Sequence, residues 1–186
     1  MKIGIYFHGV KMSFATDALK NAKKIVVKIG TNVITKEDGH LDLLRLKSLV
    51  SDIVYLKNSR KDIIVVTSGA IGAGMAKLNL LEKPKDLVLK QAAAAVGQSA
   101  LMHYYQLYFK KYNQRVAQIL LTQDELLDET KRTNLNNTLS VLLNLGVIPV
   151  INENDVIATQ ELTPTLEEND EWLNFSDNDT LSAAIA

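Results

Sequence analysis

Four polar clusters punctuate a chain of otherwise apolar segments, and each holds side chains of a kind that does chemistry. The first is Lys28-Ile29-Gly30-Thr31-Asn32. A lysine inside an apolar run is unexpected. A cation beside a glycine-containing turn suits a polyphosphate, because the turn's N–H groups donate to the same oxygens that the ammonium attracts. The second is Thr67-Ser68-Gly69-Ala70, ahead of a helical segment. Free N–H groups and the dipole at a helix start suit an anion, a carboxylate included. The third, Asn152-Glu153-Asn154-Asp155, sets two amides and two acids directly after an apolar run. Such a group can hold an ammonium and orient hydroxyl or carboxylate partners. The fourth, Asp177-Asn178-Asp179, opens the last helical segment. Each cluster also has an ordinary counterpart: an edge lysine snorkelling to water, a serine cap with a glycine turn, or a polar turn that caps the next segment. Singly, none of the four decides between the two.

Several other chemistries are excluded. The chain has no cysteine, which removes disulfides, thiolate zinc sites and cysteine nucleophiles. His8, His40 and His103 lie far apart and make no ligand spacing, so no metal site is expected. Neither a G-x-S-x-G elbow nor a G-x-x-x-x-G-K-[ST] loop is present, and the glycines of 69–74 lack the dinucleotide order G-x-G-x-x-G. Basic and acidic side chains balance at 21 each with no run of like charge, which speaks against a nucleic-acid partner. No apolar run approaches the ~18 residues that span a bilayer. The first ten residues lack the apolar core of a secretion signal. A cytoplasmic protein without membrane contact is expected.

The elements that must position the clusters follow from the hydrophobic pattern. IVVKIG (25–30), DIIVVTS (62–68), RVAQILL (115–121) and VIPVI (147–151) read as buried strands. Between the first two lies an excursion with a turn at Asp38-Gly39, then a helix capped by Asp42 that carries Leu43, Leu46, Val50, Ile53 and Val54 at helical spacing. GAIGAGMAKL (69–78) reads as a short helix, and Pro84 to Lys111 as a long one. Its Ala92–Ala95 run predicts close helix packing, and its Tyr104–Phe109 cluster predicts core or a subunit contact. Thr122 and Glu125 make a capping box. A helix over 128–145 aligns Leu135, Leu139 and Leu142, with Gly146 as its stop. Residues 160–175 are polar and acidic, and read as an exposed loop. Continuous apolar strands alternating with helices predict an α/β fold with an open, mainly parallel sheet sandwiched by helices. In such a sheet ligands bind beyond the carboxyl ends of the strands, where all four clusters fall.

Seven blocks then occur in order: VVKIGTNVIT (26–35), VVTSGAIGAG (65–74), AAAAVGQSALM (92–102), AQILLT (117–122), RTNLNNTL (132–139), VIPVINENDVIAT (147–159) and FSDNDTLSA (175–183). The series resembles the glutamate 5-kinases of the amino acid kinase family, and also the kinase part of the bifunctional pyrroline-5-carboxylate synthases. The resemblance covers about residues 24–186 and implies a three-layer α/β/α kinase fold. It implies transfer of the ATP γ-phosphate, with Mg²⁺ accompanying the ATP, to the side-chain carboxylate of L-glutamate, the first step of proline biosynthesis. By the same resemblance Lys28 reaches the transferring phosphoryl group, and Gly30 and Thr31 form its phosphate-binding turn. Ser68, Gly69 and Ala70 match the turn that contacts glutamate, and Asp155 and Asn178 match further glutamate-binding positions. Asn152, Asp177 and Asp179 lie in the same motifs, with Asp179 expected to orient Lys28 or the metal-bound phosphates. A homo-oligomer and feedback by proline are further implications.

The chain departs from the family's pattern in two ways. Residues 160–174 make a longer loop than a minimal bacterial kinase needs. The family's nucleotide lobe, with a second catalytic lysine and the adenine pocket, would follow the Asp177-Asn178-Asp179 helix and is not in the sequence. The expected organisation is therefore an N-terminal extension over 1–22 and the glutamate-binding portion of an amino acid kinase domain over 23–186, cut from a longer protein and unable to complete catalysis alone. The alternative is a non-catalytic sensor of glutamate or proline.

Overall fold

The computed structural model describes residues 21–158, together with Ser182 and Ile185. The expected loop 160–175, the Asp177-Asn178-Asp179 cluster and nearly all of the expected extension 1–22 lie outside those residues. Ser182 and Ile185 are helical, where a last helix is expected.

The described chain runs β1 (Lys24–Ile29), α1 (Thr31–Ile34), α2 (Leu43–Asn58), β2 (Asp62–Thr67), α3 (Ala70–Leu78), α4 (Leu87–Lys110), β3 (Val116–Leu121), α5 (Gln123–Leu127), α6 (Glu129–Asn144) and β4 (Ile148–Glu153). The four strands form one sheet in the order β1-β2-β4-β3. Every pairing is parallel, with Lys28 opposite Val66, Val66 opposite Ile151 and Leu120 opposite Asn152. The expected α/β class and parallel sheet are therefore observed.

Strand periodicity divides the core in two. Ile25, Ile29, Ile63, Val65, Ile148 and Val150 point to one face, under α2, α3 and α4. Val26, Ile64, Val66 and Ile151 point to the other, under Leu135, Leu139 and Leu143 of α6, with Ile185 packed beside them. Connections leaving β1 and β2 cover the first face, and the connection leaving β3 covers the second. The chain thus passes from β2 over β4 to β3 on the first face and returns to β4 on the second.

Local chemistry sets most element boundaries. Asp42 caps α2 by accepting from the N–H groups of Leu44 at 3.1 Å and Arg45 at 3.0 Å. The long helix starts at Leu87 rather than Pro84, because the Asp86 carboxylate accepts from Leu89 N–H at 2.9 Å and fixes the first turn there. Leu143, not Leu142, completes the buried row of α6, since Leu135, Leu139 and Leu143 repeat every fourth residue. Gly146 adopts φ +71° just past the helix end, a conformation that favours glycine. The largest departure from expectation is β4. It extends two residues beyond Ile151, so Asn152 and Glu153 are buried strand residues and the turn proper begins at Asn154.

Helices α3 and α4 meet backbone to backbone. A Cβ at Gly97 would overlap the Ala70 carbonyl and the Gly74 amide, and a Cβ at Gly74 would overlap the Ala93 carbonyl. The Ala-rich stretch is thus the contact surface that its composition suggested, with Ala93 and Ala94 buried. Tyr105, Tyr108 and Phe109 are core residues.

Two outcomes follow. Gly97→Ala places a methyl group against a carbonyl that cannot move alone, and should cost at least about 3 kcal/mol in urea unfolding. Glu125 accepts from both the N–H and the hydroxyl of Thr122, which holds its carboxyl below the usual carboxylate range. Its stabilisation is complete above the unfolded value near 4.3 and is lost as pH falls through the lower folded value. Glu125→Gln should therefore cost roughly 0.5–1 kcal/mol at neutral pH, as loss of a cap does. That gap should narrow as unfolding is followed to acid pH and close only once the pH falls past the lowered folded value.

Candidate functional site

Three turns leave the carboxyl ends of three neighbouring strands and form one edge. The first follows β1. Lys28 is half-buried on the edge strand, and its side chain folds back along the strand end, so that a Cβ at Gly30 would lie 3.2 Å from the Lys28 Nζ. Gly30 has an ordinary extended backbone, φ −75° and ψ 161°. Its lack of a side chain therefore matters for space beside the ammonium rather than for conformation. Thr31 is exposed at the start of α1.

The second turn follows β2. Ser68 N–H donates to the Ile29 carbonyl at 3.0 Å, which ties the end of β2 to the end of β1. Gly69 takes φ +99°, and a Cβ there would sit 2.9 Å from Ile34 Cδ1, so both backbone and space require glycine. Gly69, not Ser68, occupies the cap position of α3. Ser68 is half-buried, while Gly69 and Ala70 are buried.

The turn is held from beneath. Tyr105 is fully buried, and its hydroxyl lies 2.7 Å from the buried Thr67 Oγ1. Thr67 Oγ1 donates onward to the Ser68 carbonyl at 3.1 Å, so the Tyr105 hydroxyl is the donor of the pair. Burial pushes the Tyr105 phenol well above its ordinary value, which keeps that proton in place.

The third turn follows β4. Asn152 is 1% exposed and its Nδ2 donates to Gln98 Oε1 at 2.7 Å. Glu153 is buried, and Asn154 and Asp155 are half-buried. A cavity of about 300 Å³ opens here, lined by Gln98 and Ser99 of α4, Gln118 and Leu120 of β3, and the segment Glu153–Val156. It lies on the β3 side of the edge, and Lys28 and Ser68 do not line it.

Neighbouring strands lie ~4.8 Å apart, so β1 and β4, with β2 between them, are about 10 Å apart across the sheet. Lys28 is level with Ile151 of β4, and Asp155 lies four residues further along the chain. The structure thus brings Lys28, Gly30, Thr31, Ser68, Gly69, Ala70, Asn152 and Asp155 to one sheet edge, with the cation at one end and the acid at the other. Asp177, Asn178 and Asp179 lie outside the described residues. Among the described residues, no group of three or more His, Asp or Glu side chains could hold a metal ion. No described helix is long and apolar enough to cross a membrane.

Two residues that reach these turns, Gln98 and Tyr105, were not among the candidate site residues read from sequence, whereas their neighbour Thr67 opened one of the four clusters. Gln98 had a usable signal. It is a lone amide within an apolar, Ala-rich helical stretch.

Residues 23–186 match the model of the amino acid kinase family. The chain is 46% identical over 169 residues to a glutamate 5-kinase of Moorella thermoacetica, covering 91% of this chain and 42% of that protein. It is 46% identical over 169 residues to a glutamate 5-kinase of Clostridium perfringens, covering 91% and 60%. With a glutamate 5-kinase of Caldanaerobacter subterraneus the identity is 48% over 163 residues, covering 88% and 41%. The chain spans about half the length of these curated relatives.

Proposed function

The chain belongs to the amino acid kinase family, and from that membership we propose that it is the glutamate-binding portion of a glutamate 5-kinase. The observation that carries this reading is the edge itself. A strand-borne lysine ammonium beside a side-chain-free glycine stands on the same carboxyl edge as a left-handed glycine turn and, two strands away, a carboxylate. The names of relatives at 46% identity support the same substrate.

The reaction asks little of the protein in proton transfer. A glutamate side chain has a reference pKa near 4.3 and is already a nucleophile at neutral pH. Its carboxylate oxygen bonds to the γ-phosphorus of ATP, the bond from that phosphorus to the β,γ-bridging oxygen breaks, and ADP leaves. The product is an acyl phosphate, and no proton is lost. What remains is positioning and neutralising charge.

Each turn supplies part of that. Lys28, with Gly30 and Thr31, draws in the transferring phosphoryl oxygens. Gly69 and Ala70 present backbone N–H groups at the start of α3 to a substrate carboxylate, with Ser68 beside them in the same turn. Asp155 pairs with the substrate ammonium, with Asn152 buried behind it. Asn178 and Asp177 contribute further glutamate contacts, and Asp179 orients Lys28. Mg²⁺ enters with ATP, held by phosphates and water. A cytoplasmic homo-oligomer inhibited by proline, within proline biosynthesis, completes the reading.

The test uses the full-length protein, with hydroxylamine to trap the acyl phosphate. Lys28→Ala should lower turnover at least ~100-fold with glutamate affinity within about threefold of wild type. Turnover near wild type would remove Lys28 from the mechanism. Asp155→Ala should weaken glutamate binding, measured by titration calorimetry, by ~10- to 100-fold. If glutamate and proline bind but no phosphoryl transfer occurs, the protein is a sensor rather than a kinase.

A further inference from the structure

Helix α4 reaches two of the three turns at the carboxyl edge. Tyr105 contacts the end of β2 through Thr67, and Gln98 contacts the end of β4 through Asn152. These residues stand at i and i+7, two turns apart on one face of the helix. The first contact is complete, because the phenol and the threonine hydroxyl donate in series to a carbonyl.

The second contact is not complete. Besides the 2.7 Å bond from Asn152 Nδ2 to Gln98 Oε1, the pair has two further polar atoms that are buried, Asn152 Oδ1 and Gln98 Nε2. Among the described residues neither has a hydrogen-bond partner. Turning both amides over changes nothing, since one donor and one acceptor would again be left. Buried polar atoms without partners destabilise a fold, and an apolar pair of equal volume would serve packing better. The pair also stands where positioning matters. Asn152 opens the four residues that end at Asp155, and Gln98 lines the cavity shared with Asn154 and Asp155.

We propose that Gln98 is a positioning residue for substrate binding. It holds the Asn152 side chain in one rotamer, and through it the path of the turn that presents Asp155. The inference rests on the reading that Asp155 engages the ammonium of glutamate. The long helix then sets the glutamate end of the site, while Lys28, on an edge strand two positions away, is independent of it.

That independence makes the inference testable in the full-length protein. Gln98→Met keeps the length of the side chain and removes its amide. It should raise the KM for glutamate about tenfold, with kcat and the KM for ATP within about twofold of wild type. In an Asn152→Ala background the same change should add less than about twofold, because Gln98 acts through Asn152. Should the thioether disturb packing, Gln98→Ala removes the same acceptor without steric demand and carries the same expectation. A glutamate KM within twofold of wild type in both variants overturns the inference, as does an equal fall in kcat or a full tenfold effect without Asn152. A wild-type protein that does not bind glutamate overturns the functional reading and this inference together. Normal wild-type binding with unaltered Gln98 variants overturns the inference alone.

Discussion

The backbone contact between α3 and α4 is the constraint on which the rest of the edge depends. Gly74 and Gly97 leave no room for a methyl group, because each faces main-chain atoms of the other helix. Two helices that touch in this way have one relative position, since sliding either would drive a carbonyl into a Cα. Ala70, the residue that Gly97 meets, is the first residue of α3 and lies next to Gly69. The contact therefore fixes the start of α3, and with it the turn that follows β2. It also fixes α4, and so the places of Gln98 and Tyr105 above the sheet. A small-residue contact in the core is in this way transmitted to two separate turns without any polar side chain at the contact itself.

The sheet adds the third turn and the polarity of the site. Parallel strands place all their carboxyl ends on one side, the side on which ligands bind in open sheets of this class. Lys28 and Asp155 then take opposite ends by strand order alone. Lys28 stands on an edge strand, where its long stem reaches the strand end while the strand still pairs with β2.

Much of this was legible in the residues, for identifiable reasons. Strands buried on both faces must be continuous apolar runs, so β1 and β2 declared themselves within one or two residues. Asp42 and Gly146 marked helix ends because their roles are local. The end of β4 was not legible. Asn152 and Glu153 look like turn residues by type, and only Leu120 and Leu121 across the ladder make them strand. Leu142 and Leu143 were confused because adjacent leucines differ by a rotation that only the packed sheet resolves. The Asn152–Gln98 bond spans 54 residues of sequence, and the Tyr105–Thr67 bond spans 38. No local pattern encodes such pairs. They exist because the helix contact brings α4 over the strand ends.

On the proposed reading this rigidity is also the source of catalysis. A reaction whose nucleophile is already ionised has no use for a tuned base, and the described edge contains no histidine. The remaining barrier is largely the entropy and charge of bringing two anions together. Fixed geometry lowers such a barrier steeply, by up to ~7–11 kcal/mol in well-oriented systems, and a displacement of ~1 Å forfeits much of that. A site made of flexible side chains would have to order them at each turnover. Here the turns are ordered in advance by main-chain contacts, a left-handed glycine and buried hydrogen bonds. The residues that shape the site in this architecture therefore include glycines and an amide that never meet the substrate.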